Sequence, residues 1–274
     1  MPPPRQQPDI QRLRRQNRLS LAVLLLLIIA SPRAAECGAA EWPDQRTAGP
    51  FLCHADFSLA DNQNLVSELA QLQRDLRPIL GRGEPDEPIH LFLFAEKATY
   101  QAYLKQYFPG VPDRRALFVK GRGPGMVFAH RNADFEVDVR HECTHALLHA
   151  TRRDVPLWLD EGLAEYFEAP PAERSFDNPH MRLVRWSARL GRFPRMETLE
   201  ALDNVEAMGR GEYRDAWAWV HFMLHGPPAA RGEMIAYLDD LTAQRATAPL
   251  SARLRARLPE LDRQFLDHFR MWVR

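Results

Sequence analysis

The chain has 274 residues, with 36 Lys+Arg against 36 Asp+Glu, 26% charged and 45% hydrophobic. These proportions exclude wholesale disorder, and a net charge of zero leaves no basic footprint for nucleic acid. Three cysteines exclude a disulfide-dense scaffold.

The first 18 residues are rich in Pro, Gln and Arg, and Leu19 to Ala30 (LSLAVLLLLIIA) is almost wholly apolar. Twelve residues are too few to span a bilayer, which needs about 20. The pattern fits a secretory signal or an uncleaved signal anchor over residues 1–36, and predicts an exported protein: periplasmic, secreted or anchored at the outer membrane face. Membrane contact is expected through this segment alone. Glu36 precedes Cys37, so no lipobox is present. Residues 1–36 carry six Arg against Asp9 and Glu36, so their removal leaves a mildly acidic chain of net charge −4. Residues 37–274 are long enough for one domain with a well-buried core. Export makes a Cys37–Cys53 disulfide feasible, whereas Cys143 reads as a small buried hydrophobe.

Phe51–Ser58 is a short strand candidate. Asp61 is placed to cap a helix running to about Leu80, with Leu65, Leu69, Leu72, Leu76 and Leu80 at helical spacing. Gly81–Pro88 is a turn-rich break. Ile89–Ala95 (IHLFLFA) reads as a strand buried on both faces. A helix from about Glu96 to Tyr107 follows. Ala116–Lys120 and Met126–Ala129 are two short strands joined by a glycine-rich hairpin turn, which lacks the Lys-Ser/Thr of a phosphate loop. From residue 134 onward the pattern is helical throughout. An α+β architecture is expected, with residues 38–133 carrying the strands and 134–274 forming a helical lobe.

The most informative stretch is His141-Glu142-Cys143-Thr144-His145, an HExxH pattern. Phe135, Val139, Cys143, Ala146, Leu147 and Ala150 share one helical face, and His141 and His145 lie on another, one turn apart. That spacing sets two imidazoles side by side as ligands of one ion, while Glu142 is offset towards a water the ion would hold. Thr151–Asp154 reads as a turn, with Asp154 as N-cap and Pro156 in the first turn of a second helix. On that helix Leu159, Leu163, Tyr166 and Phe167 form one apolar face. Leu157, Trp158 and Ala164 flank the other, together with Glu161, Glu165 and Glu168. Carboxylates on a helix this apolar are costly to bury unless paired or bound to a cation. If the helices fold back on each other, His145 and Glu161 stand at similar distances from the turn, and Gly162 and Ala164 permit close approach. Two His and one Glu leave the fourth zinc position for water, the arrangement of a catalytic site. Glu165 is the alternative third ligand.

These residues resemble the gluzincin branch of the zincin metallopeptidases. The nearer likeness is to bacterial exported peptidase MA-like domains of unknown function, whose Pro-x-Trp-Leu-x-Glu-Gly-Leu-Ala-Glu-Tyr pattern is similar to Pro156–Tyr166. The likeness covers roughly residues 50–225 and is specific over 138–168. It implies one Zn²⁺ held by His141, His145 and Glu161, and a small mixed sheet whose last edge strand lines the cleft, a place suited to Met126–Ala129. It also implies that Glu165 supports the first His, and that a peptide or protein is hydrolysed with Glu142 as general base. A Tyr or His from a later helix often aids the oxyanion in that branch, and Tyr213 is the candidate here. Metzincins fit less well, since Leu148 and Thr151 replace their Gly and third His. A noncatalytic zincin-like binding module and a fold-stabilising metal are the competing readings.

The remaining polar residues have plainer expectations. His149 is a hydrogen-bonded neighbour, and Asp138 is solvated or a minor support. His221 and His225 are satisfied core histidines. Arg253, Arg255 and Arg257 form a solvated helix face, with a membrane-surface role as the alternative. His54, His90, His130 and His180 belong to no recognisable constellation.

Overall fold

A computed structural model describes residues 42–80, 85–121, 123–152 and 154–272. The apolar leader, Cys37 and the first half of the Gly81–Pro88 break lie outside the described residues. Among those described, no helix is long and apolar enough to cross a membrane.

The architecture is mixed α+β, with a five-stranded sheet followed by helices alone. The strands are β1 (Asp44–Ala48), β2 (Phe51–Ala55), β3 (Ile89–Phe94), β4 (Ala116–Val119) and β5 (Met126–His130), in spatial order β1-β2-β3-β5-β4. β2, β3 and β5 are mutually parallel, while β1 and β4 run antiparallel at the two edges. Helix α1 (Gln63–Leu80) makes the crossover from β2 to β3, and α2 (Lys97–Tyr107) follows β3. Ser58, not Asp61, starts the turn into α1: its side chain accepts from the Ala60 N–H, and Asp61 lies within the short 3-10 helix so formed.

The alternation of the strands divides the core. Phe51, Cys53 and Ala55 of β2, Ile89, Leu91 and Leu93 of β3, and Val127 and Ala129 of β5 bury one sheet face in a core shared with α1 and with α3 (Phe135–Thr151). Phe94 and Phe128 face the other way, into a second cluster with Tyr100 and Leu104 of α2. This two-sided burial is why IHLFLF is apolar at nearly every position. Cys53 and Cys143 are buried free thiols, and burial first of all pushes the Cys53 thiol up to about 12.

The strand expected at the sheet edge is an interior one. β5 pairs with β3 on one side and with β4 on the other, so β4 is the edge strand beside α3. The β4–β5 turn folds the earlier strand outward, and Gly125 allows it: a Cβ there would lie 3.1 Å from the Phe118 ring. Arg115, just before β4, ties this edge to the start of α3 through Asp134 and through Asp138 at 2.9 Å.

The helical part consists of α3, α4 (Leu157–Phe167), α5 (Met181–Arg189), α6 (Met196–Glu200), α7 (Arg210–His225), α8 (Pro228–Thr242), α9 (Leu250–Arg257) and α10 (Leu261–Met271). Helix α4 is wedged between α3 and α7. It is buried at Trp158 to Ala164, Tyr166 and Phe167. Its start differs from the sequence expectation. Pro156 occupies the cap position, and Asp154 takes a left-handed conformation (φ 57°) in the turn.

Candidate metal centre

Helices α3 and α4 bring His141, His145 and Glu161 together. The Glu161 Oε2 lies 3.5 Å from His141 Nε2 and 3.7 Å from His145 Nε2. All three donor atoms fall within 4.8 Å of one another. The imidazoles are one turn apart with ring centroids separated by 4.9 Å. His145 and Glu161 are buried, while His141 and Glu142 are partly open to solvent.

Each imidazole is held from behind by a carboxylate. His141 Nδ1–H donates to Glu168 Oε2 at 2.8 Å, and His145 Nδ1–H donates to Asp160 Oδ1 at 2.9 Å. These bonds fix the tautomers that direct both Nε2 lone pairs at the space beside Glu161. The second Asp160 oxygen accepts from His149 Nε2 at 2.8 Å, and the His149 ring stacks on Phe118 of β4. Arg140 is buried and donates to the Glu168 carbonyl at 2.5 Å and to Glu68 at 2.8 Å, which secures the end of α4.

The partner of His141 is therefore Glu168, two turns after Glu161, and not Glu165, one turn after, which the resemblance implies. Glu165 instead accepts from His180 Nε2 at 2.8 Å. Glu165 and Glu168 both approach His141 closely enough to form a further potential ligand set, as do His145, His149 and Asp160. In those two sets His141 Nδ1, His145 Nδ1 and His149 Nε2 are already hydrogen-bonded to the carboxylates. Asp160, Glu168 and His180 went unassigned in the sequence. Position was an available signal for Glu168, which continues the Glu161–Glu165 stripe, whereas nothing marked His180.

The electrostatics favour positive charge between these carboxylates. Burial opposes charge on His141, but Glu161 and Glu168 outweigh it and raise the imidazole to about 10. Burial likewise opposes charge on His145, and Asp160 and Glu161 raise it. Burial works against ionised Glu161, yet the two histidines hold its carboxyl at about 2. Asp160 is also lowered, with His145 and His149 outweighing burial. Ionised carboxylates thus surround imidazoles that recruit positive charge, and a divalent ion fits the same donor set once those protons leave.

Tyr213 sits in the first turns of α7, partly buried. Burial raises its hydroxyl to about 12, with Glu161, Glu165 and Glu142 adding to the shift and Arg114 opposing it, so the phenol stands within the field of the site. Gly162, expected to ease approach between the first two site helices, makes its close contact with α7. A Cβ there would lie 2.8 Å from the Ala216 carbonyl oxygen and 3.0 Å from Val220.

No protein-family model and no curated protein matches the chain. Among solved structures, the chain is similar to a two-domain M1 zinc metallopeptidase variant bound to L-arginine, with TM-score 0.49 and 19% identity over 82% of this chain and 48% of that one. It is similar to the M1 zinc metallopeptidase from Deinococcus radiodurans with TM-score 0.47 and 20% identity, over 84% and 52% of the two chains. A variant of the latter bound to a Tyr-Ser-Ala substrate gives TM-score 0.46 and 18% identity, over 84% and 51%. The chain spans about half the length of these M1 zinc metallopeptidase structures.

Proposed function

We propose that the chain is a zinc-dependent peptidase with a zincin-like fold, cutting amide bonds of an exported or extracytoplasmic peptide or protein. One observation carries this reading: His141 Nε2, His145 Nε2 and Glu161 Oε2 converge with spacings of 3.5 and 3.7 Å to the shared carboxylate oxygen. Donors about 2.0–2.1 Å from a tetrahedral zinc lie about 3.3 Å apart, so small side-chain shifts suffice to close the set. Three protein ligands leave a position for water or substrate, as a catalytic site needs.

A zinc ion held by His141, His145 and Glu161 would supply an acidified water, with a pKa of about 7, and would polarise a substrate carbonyl. Glu142, on the same helix and offset from the two histidines, would take a proton from that water on its carboxylate and return it to the leaving amine nitrogen. Glu168 and Asp160 keep the two imidazoles oriented through their Nδ1–H groups. The Tyr213 phenol, held protonated by burial and by the neighbouring carboxylates, would be the donor to negative charge developing on the substrate carbonyl oxygen. The outer edge of β4 offers backbone N–H and C=O groups to an extended substrate.

Glu142→Gln tests the reading. Hydrolysis of a mixed fluorogenic peptide library should fall by a factor of about 10³ or more, with zinc still bound. Equal hydrolysis by variant and wild type would remove Glu142 from its role. A chain that binds zinc stoichiometrically but cleaves no member of the library is a noncatalytic binding module instead.

A further inference from the structure

Among the described residues, five large hydrophobic side chains are exposed: Tyr107, Leu183, Trp186, Leu190 and Met271. Leu183, Trp186 and Leu190 fall on α5 and its C-cap, with 45%, 55% and 53% of their surface exposed. They recur at i, i+3 and i+7, so they form one stripe along the helix. Met181, Val184 and Ala188 form the buried stripe opposite. Between the two runs a band of arginines, Arg182, Arg185 and Arg189, which Arg192 follows just beyond the helix. No Asp or Glu occurs from residue 178 to 196. Among the described residues none of these four arginines makes an ion pair, and Arg185 Nε is buried without a hydrogen-bond partner.

The other arginine-rich part of the chain behaves differently. Arg253 is paired with Glu233 and Asp240, and Arg255 with Glu197 and Asp262. Two of the three cations of that stretch, Arg253 and Arg255, are thus neutralised at home, which leaves Arg257 alone for a membrane surface there. The α5 cations are not neutralised, and they border apolar side chains that would otherwise remain in water.

We infer that α5 is a peripheral docking face for an anionic lipid bilayer, with Leu183, Trp186 and Leu190 entering the interface and the exposed Arg182, Arg189 and Arg192 meeting the lipid phosphates. Trp prefers the headgroup level, where its ring is in hydrocarbon and its N–H is wet. An amphipathic helix with a cationic band lies in the plane of such an interface. A second copy of the chain fits less well. The stripe exposes on the order of 300 Å², well short of the roughly 800 Å² per partner that stable dimers bury, and two such faces would set their arginines against each other. The docking face is independent of the zinc reading, and it adds a membrane contact to the N-terminal one expected from the sequence. It also lies close to the candidate centre in sequence, since His180, at the head of α5, donates to Glu165 of α4.

The test uses the full chain with vesicles of phosphatidylcholine alone or mixed with phosphatidylglycerol, each carrying brominated acyl chains that quench nearby tryptophan. Because the N-terminal apolar segment can itself reach a bilayer, the readout is the quenching that wild type shows in excess of Trp186→Phe. That excess should appear with phosphatidylglycerol vesicles and vanish in pure phosphatidylcholine. It should fall at least about tenfold in apparent affinity in Arg182→Gln/Arg189→Gln/Arg192→Gln. All the substituted side chains are exposed, and unchanged melting curves confirm that the variants fold. Equal quenching of wild type and Trp186→Phe overturns the inference, as does equal excess quenching on neutral vesicles. A concentration-dependent dimer lost in Leu183→Ser/Leu190→Ser would assign the face to a second copy and overturn it too.

Discussion

Gly162→Ala probes the packing that holds the centre together. The added Cβ would stand 2.8 Å from the Ala216 carbonyl oxygen, 2.9 Å from its carbonyl carbon and 3.0 Å from Val220 Cγ2. Two of the three are backbone atoms of α7, so no side chain can swing aside to make room. Ordinary contact begins near 3.4 Å, and α4 must therefore move from α7 by about half an ångström. Overpacking of this kind costs about 1–3 kcal/mol, and more where backbone must shift. Alanine recovers about 1 kcal/mol of helix propensity over glycine; with the backbone contact putting the overpacking at about 2–3 kcal/mol, the net loss is about 1–2 kcal/mol. The movement also has a functional readout, because Glu161 is the adjacent residue and its Oε2 is shared by His141 and His145. Urea denaturation of the metal-free chain measures the stability loss, and zinc competition against a chromogenic chelator measures affinity, expected to fall about tenfold or more. A variant with wild-type stability and wild-type zinc affinity would refute the claim that this contact sets the position of Glu161.

Glu168→Gln should weaken zinc binding by about 10–100-fold in the same chelator competition, because the carboxylate that orients His141 is lost. Glu165→Gln should cost only a few-fold, and an inverted order would restore Glu165 as the support of His141. A pH effect arises away from the centre. His221 Nε2–H donates to the Ser175 carbonyl, and His221 Nδ1 accepts from His268 Nε2–H, each at 3.0 Å. Burial first, then neighbouring histidines, lowers His221 well below its ordinary value and brings His268 down to about 4. The unfolded chain protonates these rings below about pH 6.5, whereas folded His268 takes up its proton only near pH 4. Stability should hold above pH 6.5 and fall between 6.5 and 4, by up to about 3 kcal/mol for His268 alone. Urea midpoints that do not change between pH 7 and pH 4.5, or an equal decline in His268→Gln, would count against this coupling.

The parts of the fold legible in the sequence are those with a strong period. The apolar stripe of α1, the two-sided IHLFLF strand and the HExxH helix each announce themselves by which residues they bury. β1 does not, because DQRTA at a sheet edge buries only Ala48 fully. The order of β4 and β5 is also hidden. Two strands of a hairpin have the same local pattern whichever of them joins the rest of the sheet, and here the second does. At the site, Glu161, Glu165 and Glu168 share a stripe, but the rotation of α4 decides which carboxylate meets His141. That rotation is set by α7, which presses on Gly162 from more than fifty residues away. His180 claims Glu165 from a helix whose own periodicity reports only its buried side.

Metal analysis of the purified full chain, with His145→Ala and Glu161→Ala alongside, tests the zinc assignment most directly. Wild type should carry one zinc per chain, and both variants should lose it while keeping their secondary structure. A metal-free wild type under zinc-replete conditions, or stoichiometric zinc retained by Glu161→Ala, would contradict the account.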